Sequence, residues 1–100
     1  MDLLQLENKI ESARKEYRHA MTKCQNESEK AEFYAMFNDA EKAAEADARG
    51  LEFFREADLW EKAADALEAL RDAFRLAVRA AQEYNATMGA SIGVTITEGV

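Results

Sequence analysis

The spacing of apolar residues constrains the fold of this chain more than any other feature of its sequence. Beginning at Trp60, apolar residues recur at alternating intervals of three and four over four heptads. This is the pattern of a helix with one buried stripe. The stripe consists of Trp60, Ala63, Leu67, Leu70, Phe74, Ala77, Ala81, Tyr84 and Met88. It predicts a helix over residues 58–88, with Asp58 at its start and Gly89 just after its end.

A second stripe of the same kind opens the chain. It consists of Leu3, Leu6, Ile10, Ala13, Tyr17, Ala20 and Cys24. The stripe predicts a helix over residues 2–24, with Asp2 capping its first turn. The polar run 25–28 then interrupts the stripe, and Asn26 or Ser28 would cap a new helix there. A continuous helix through this run stays open as an alternative, because the run contains neither Gly nor Pro.

A middle helix is predicted over residues 29–49, where Phe33, Phe37, Ala40 and Ala44 supply the apolar positions. Gly50 follows and suits the left-handed residue that ends many helices. Residues 51–57 are then a connector, either a helical turn or a kinked extension of the middle helix.

These elements predict an all-α fold: an elongated antiparallel three-helix bundle, or a helical hairpin, with coiled-coil-like heptad seams. Residues 1–89 form a single domain. Residues 90–100 form an extended or flexible tail, because Ile92, Val94 and Ile96 alternate with smaller or polar residues. Since the last helix is long, a second copy of the chain could complete the core as a homodimer.

Composition excludes several classes of protein. The 100 residues include four Gly and no Pro, which suits a β-sandwich or barrel poorly. A single Cys excludes an intramolecular disulfide, and one Cys with one His cannot form a zinc site alone. The chain has neither the features of a signal peptide nor the roughly 18 consecutive apolar residues of a membrane span. We therefore expect a cytoplasmic protein without a membrane partner.

No residue pattern indicates catalysis, and we expect neither an enzyme nor a cofactor. Glu16 and His19 have the spacing used in helical di-iron sites, but such sites need a second copy of this motif. Cys24 lies near the predicted end of the first helix, where the helix dipole disfavours a thiolate. Glycine-rich phosphate-binding loops and nucleophile elbows are both missing, so no catalytic or metal-ligating residue is assigned.

Acidic charge is concentrated in the middle of the chain. The net charge is −7, and residues 29–58 carry nine acidic and four basic groups. Glu41, Glu45, Glu52 and Glu56 would line one face if the middle helix continued past Gly50. Phe33, Tyr34, Phe37, Phe53, Phe54 and Trp60 flank this region. We predict that the four glutamates, with Phe53 and Phe54, bind a basic surface of a partner protein, such as a groove built for nucleic acid. The alternative is a solvated helix face with most of the aromatic residues in the core.

Arg71, Arg75 and Arg79 form the one basic stripe of the last helix. The net charge of −7 argues against direct binding of nucleic acid. We therefore expect these arginines either to meet an acidic patch of a protein partner or to pair with local acids such as Asp72.

No family is identified by motif. In length and helical-hairpin pattern the chain resembles the secreted hundred-residue Trp-x-Gly family, but Glu61 and Lys62 follow Trp60, so the defining turn is missing. In size, acidity and lack of catalytic motifs it resembles the small proteins that phages make to inhibit host defence, anti-CRISPR proteins among them. That resemblance implies binding to a larger, nucleic-acid-handling complex and transfers no site residues. The alternative is a structural self-assembling helical module, such as a coiled-coil or secretion-system subunit.

Overall fold

A computed structural model describes residues 2–87, which form two long α-helices. Helix α1 spans Leu3–Met36, 34 residues, and α2 spans Ala40–Thr87, 48 residues. Phe37, Asn38 and Asp39 join them, and no strand occurs within residues 2–87. The all-α prediction is confirmed and the chain follows the helical hairpin, whereas the three-helix bundle is wrong. The predicted tail 90–100 and the predicted helix end at Met88 and Gly89 lie outside the described residues.

The predicted break at residues 25–28 does not occur, because α1 continues through it. After Cys24 the buried positions keep the same spacing and fall on Glu27, Ala31 and half-buried Tyr34. Because Glu27 is charged, the apolar pattern did not reveal that the stripe continues beyond Cys24. Neither Asn26 nor Ser28 caps a helix, since both lie within α1.

The predicted helix ends at Arg49 and Asp58 are also absent, because α2 runs through Gly50 and the supposed connector 51–57. Gly50 is buried inside the helix, in line with the buried residues Ala46 and Ala57. Its small size therefore serves packing at this point and does not end the helix.

The chain instead reverses at Asn38, whose φ of 56° places it in the left-handed region. The Asp39 N–H donates to the Tyr34 carbonyl at 2.9 Å, and the Asn38 N–H donates to the Ala35 carbonyl at 3.1 Å. This is the Schellman arrangement that ends a helix, with Asn in the place that Gly usually takes. Asp39 then caps α2, since its Oδ1 accepts the Lys42 N–H at 3.1 Å.

The first turn of α1 is capped as predicted. Asp2 Oδ1 accepts the Gln5 N–H at 2.8 Å, and Gln5 Oε1 accepts the Asp2 N–H at 3.0 Å. The two residues form a reciprocal capping box. Two donors that a helix start leaves unpaired are thus satisfied.

The described residues divide into two compact units, residues 2–12 with 64–87, and residues 13–63. Each pairs a segment of α1 with a segment of α2. The buried apolar residues of the first unit are Leu6, Ile10, Ala64, Val78 and Ala81. Those of the second unit are Ala13, Ala20, Ala31, Ala46 and Ala57. A core of alanine allows the two helix segments of the second unit to approach closely.

The buried row of α2 in the first unit differs from the predicted stripe. Its buried and half-buried members are Ala64, Leu67, Arg71, Phe74, Val78, Ala81 and Asn85. Leu67, Phe74 and Ala81 belong to the predicted stripe, whereas Leu70, Ala77 and Tyr84 are exposed. The prediction was half right because two apolar rows lie side by side on this helix, and spacing alone does not select between them.

The core of the first unit is tested by Leu6→Ala. Leu6 is 2% exposed, so its truncation should lower the free energy of unfolding by about 2–5 kcal/mol. Leu4→Ala is the matched control, because Leu4 is 52% exposed and should cost less than about 0.5 kcal/mol. Urea unfolding followed by circular dichroism measures both, and equal losses would contradict the burial described here.

The place of Gly50 inside α2 generates a second test. A Cβ at Gly50 would lie 3.5 Å from Glu27 Cβ and 3.7 Å from the Cys24 carbonyl oxygen, which is ordinary contact. Gly50→Ala should therefore stabilise the protein by about 0.5–1 kcal/mol through helix propensity. Gly50→Val adds two further methyl groups at the same spot and should destabilise it by about 1–3 kcal/mol. Thermal unfolding of both variants checks the opposite signs, and a destabilised alanine variant would show that residue 50 is not helical.

Candidate functional site

An exposed apolar group stands at the turn between the helices. We call Phe33, Met36 and Phe37 the turn cluster; their exposed fractions are 57%, 79% and 68%. All three lie in the last turn of α1 or just after it. Exposed apolar side chains that stand together mark binding surfaces more often than single ones do. The turn cluster is therefore the leading candidate for a protein-binding site.

The backbone of the turn fixes where these side chains stand. Phe33 and Phe37 are four residues apart, and their ring centroids are 4.8 Å apart. The Phe33 ring also meets the Tyr34 ring edge-on, with centroids 5.8 Å apart. Because aromatic rings have few rotatable bonds and these rings contact one another, little conformational freedom is left to lose on binding.

Charged groups surround the turn cluster. Lys42 Nζ lies 5.7 Å from the centre of the Tyr34 ring and 3.9 Å from Asp39 Oδ2. Residues 29–45 carry five acidic and two basic side chains, so the surroundings of the cluster are acidic. An apolar centre with an acidic surround suits an apolar patch bordered by basic residues on another protein.

The four predicted glutamates Glu41, Glu45, Glu52 and Glu56 are all exposed. Because α2 is continuous past Gly50, the condition for a shared face is met. At 3.6 residues per turn their directions fall within an arc of about 60°. The acidic face therefore exists, while its role in binding stays a prediction.

The two predicted phenylalanines have different surroundings. Phe53 is half-buried, and Lys23 Nζ of α1 lies 5.6 Å from the centre of its ring. Phe54 is 52% exposed. Phe53 is thus part of the helix packing, and Phe54 alone of the two presents most of a ring to solvent.

The turn cluster was not predicted as a site, because Phe33 and Phe37 were predicted to lie inside a helix that ended at Arg49. The feature of the sequence that indicates a turn at this point is the pair Asn38-Asp39. Asn tolerates the left-handed conformation, and Asp caps helices well.

The three arginines of the predicted stripe differ in their surroundings. Arg71 is half-buried and its Nε donates to Asp72 Oδ1 at 3.3 Å. Arg75 Nη2 donates to Glu7 Oε1 at 2.6 Å, which joins α2 to α1 within the first unit. Arg71 thus pairs with the predicted local acid Asp72, Arg75 pairs with an acid of the other helix, and Arg79 is exposed.

A charged group lies in the core of the second unit. Glu27 is 8% exposed; its Oε2 accepts from Arg49 Nε at 3.0 Å, and its Oε1 accepts from Lys30 Nζ at 3.3 Å. The stem of Glu27 lies against Gly50, which leaves room for it. Desolvation is the largest single influence and raises the pKa of this carboxyl. The hydrogen bonds and positive charges of Arg49 and Lys30 together outweigh it, so the pKa lies below its ordinary value of 4.5.

The lowered pKa of Glu27 links stability to pH. Its contribution is fully present above the ordinary value of 4.5 and is lost as the pH falls through the lower pKa of the folded state. The melting temperature of the protein should therefore fall below about pH 4.5, and Glu27→Gln should reduce that fall. Glu16→Gln, at an exposed position of α1, is the control and should leave the pH dependence unchanged. Parallel pH curves for the Glu27→Gln variant and the unmodified protein would contradict the assigned ion pair.

The residues considered above for catalysis or metal binding are not brought together into one site. Glu16 and His19 are exposed, and Cys24 is half-buried. Cys24 lies in the interior of α1, so the predicted closeness to a helix end is wrong. It borders an open depression of about 440 Å³ together with Tyr17, Met21 and polar side chains. Within residues 2–87, no three Cys, His, Asp or Glu side chains are placed to hold a metal ion.

Neither described helix includes a stretch that is both long enough and apolar enough to cross a membrane. No protein-family model, curated protein or solved structure matches the chain.

Proposed function

We propose that the chain is a non-enzymatic protein that binds a larger protein through the turn cluster. The observation that carries this proposal is the exposure of Phe33, Met36 and Phe37 beside a backbone turn that fixes their positions. Burying a large apolar side chain contributes about 1.5–3 kcal/mol, and aromatic anchors dominate many interfaces. A site whose rings already contact one another loses less conformational entropy when it binds.

The acidic surround supports a basic partner surface, such as one that binds nucleic acid. The acidic face formed by Glu41, Glu45, Glu52 and Glu56 begins two residues after the turn. Like the turn cluster, it lies in the second unit. Acidic side chains speed the encounter with a basic surface and compete with phosphates for it. We infer an inhibitor of a nucleic-acid-handling complex that acts in the cytoplasm, of the anti-defence kind that phages make, without direct binding to nucleic acid.

A second candidate is a structural self-assembling helical module, such as a coiled-coil or secretion-system subunit. It is favoured by large apolar side chains that α2 leaves exposed, Leu59, Leu70 and Leu76 among them, because the heptad rows Leu3–Tyr34 and Ala43–Asn85 are already buried within the chain. The two candidates differ in the surface that supplies the binding energy. A protein-binding inhibitor would use the turn cluster, whereas a self-assembling module would use the exposed faces of its helices.

Partner capture tests the first candidate. The full chain is immobilised, a bound protein from a lysate of the source organism is identified, and its affinity is then measured with purified components. Phe33→Ala with Phe37→Ala should weaken binding at least about tenfold, because anchor residues carry most of the energy. Phe54→Ala is the matched control, since Phe54 is 52% exposed but lies outside the turn cluster.

The dependence of the association rate on salt concentration is a second measurement on the same complex. Raising the salt concentration should slow association if the acidic face steers the encounter, and Glu45→Gln with Glu52→Gln should reduce that dependence. Absence of any partner at every salt concentration would contradict the proposal. Greater damage from Phe54→Ala than from the turn-cluster variant would place the site on α2 instead.

A further inference from the structure

An open depression lies on α2 beside Trp60, at the end of the acidic face that is farther from the turn. It has a volume of about 430 Å³ and is lined by Glu56, Leu59, Trp60 and Ala63. Leu59 is 67% exposed, whereas Trp60 and Ala63 are half-buried. The depression thus combines apolar walls with one carboxylate, and all four residues belong to the second unit.

The indole of Trp60 and the carboxylate of Glu56 are both available to a ligand. They are four residues apart, so they lie on the same side of the helix. Trp60 stands in the heptad row between Ala57 and Ala64, and packing of that row against α1 restricts its ring. Within residues 2–87, Glu56 forms no ion pair and no Lys or Arg lies over the Trp60 ring.

The same row of α2 already holds one cation against an aromatic ring. Lys23 Nζ lies 5.6 Å from the centre of the Phe53 ring. Phe53 precedes Trp60 by one heptad and occupies the equivalent position. Tryptophan attracts cations more strongly than phenylalanine does. The ring of Trp60 beside the Glu56 carboxylate therefore suits a positively charged group.

We propose that this depression binds an arginine side chain of the partner protein, a role that rests on the function proposed above. A guanidinium group is planar, so it can lie flat against an indole and donate two parallel hydrogen bonds to one carboxylate. The ammonium group of lysine is compact and more strongly hydrated, and it matches both surfaces less well. The aliphatic stem of the arginine then covers part of the exposed Leu59.

The open shape of the depression favours a side chain of a docked protein over a free small molecule. Pockets for small ligands enclose most of the ligand surface, whereas this depression is walled by four side chains of a single helix. At 3.6 residues per turn, Leu59 and Ala63 point into the same arc as the acidic face. A basic surface attracted to that face therefore meets the depression in the same encounter, with its positive charge opposite Glu56.

Trp60 is the one tryptophan of the chain, so its fluorescence reports on the site directly. The full chain is titrated with a tripeptide that has blocked ends and a central arginine, and separately with the lysine equivalent. The arginine peptide should change the emission saturably, with a dissociation constant in about the millimolar range. The lysine peptide should bind at least about threefold more weakly.

Variants of the acidic face test the role of Glu56. Glu56→Gln should weaken binding of the arginine peptide at least about fivefold, because the charge of the hydrogen-bond acceptor is lost. Glu52→Gln removes the same charge one turn earlier and is the matched control, since Glu52 does not line the depression; it should weaken binding less than about twofold. The helical circular dichroism of both variants should be unchanged, because both positions are exposed.

Three results would each overturn the proposal: no saturable change in fluorescence, an equal response to the lysine peptide, or equal effects of Glu56→Gln and Glu52→Gln. The peptide titration needs no partner protein, and the variant with Phe33→Ala and Phe37→Ala should bind the arginine peptide as the unmodified chain does. Failure to bind the peptide, together with intact capture of the partner, would refute the arginine site alone. Saturable, Glu56-dependent peptide binding without any captured partner would support the site and contradict only the binding through the turn cluster.

Discussion

The reversal of the chain at Asn38 is the constraint on which the other features of the second unit depend. Three residues end one helix and begin the next, because Asn38 takes the left-handed conformation and Asp39 caps α2. The start of α2 therefore returns along the end of α1, and the heptad rows of the two segments meet. Phe33 lies on the side of α1 away from the buried positions Ala31 and Tyr34, and Phe37 follows four residues later on the same side, which is why their rings are exposed.

A polar layer interrupts the alanine-rich core that the reversal creates. Burial of the Glu27 carboxylate costs free energy, and the hydrogen bonds of Arg49 and Lys30 offset that cost. Gly50 on the facing segment provides the space for the glutamate stem. A shift of the two segments by one heptad would separate Glu27 from Arg49 and bring either Lys42 or Glu56 to the position of Arg49. The layer therefore disfavours the shift that would place Glu56 beside Glu27, while the short turn at Asn38 limits shifts in both directions.

The sequence predicted helix content, the first capped turn and the stripe of α1 up to Cys24, because those features follow from local spacing. The predicted helix boundaries were wrong where local sequence signals conflicted with tertiary packing. Gly50 has the usual character of a helix end, yet burial against Glu27 keeps it inside a helix. Glu27 itself looked like an interruption because its partner Arg49 is 22 residues away in the chain. Contacts at that separation leave no periodic signal.

The two apolar rows of α2 explain why only half of the predicted stripe is buried in the first unit. A helix that packs on one neighbour needs one row, and a helix that packs on two needs two adjacent rows. The predicted stripe alternated between them, taking Leu67 and Phe74 from the buried row and Leu70 and Ala77 from the exposed one. The row that α1 leaves exposed is charged at Glu45 and Glu52 but apolar at Ala66 and Ala73. Polarity therefore identifies the buried row of α2 in the second unit and does not identify it in the first.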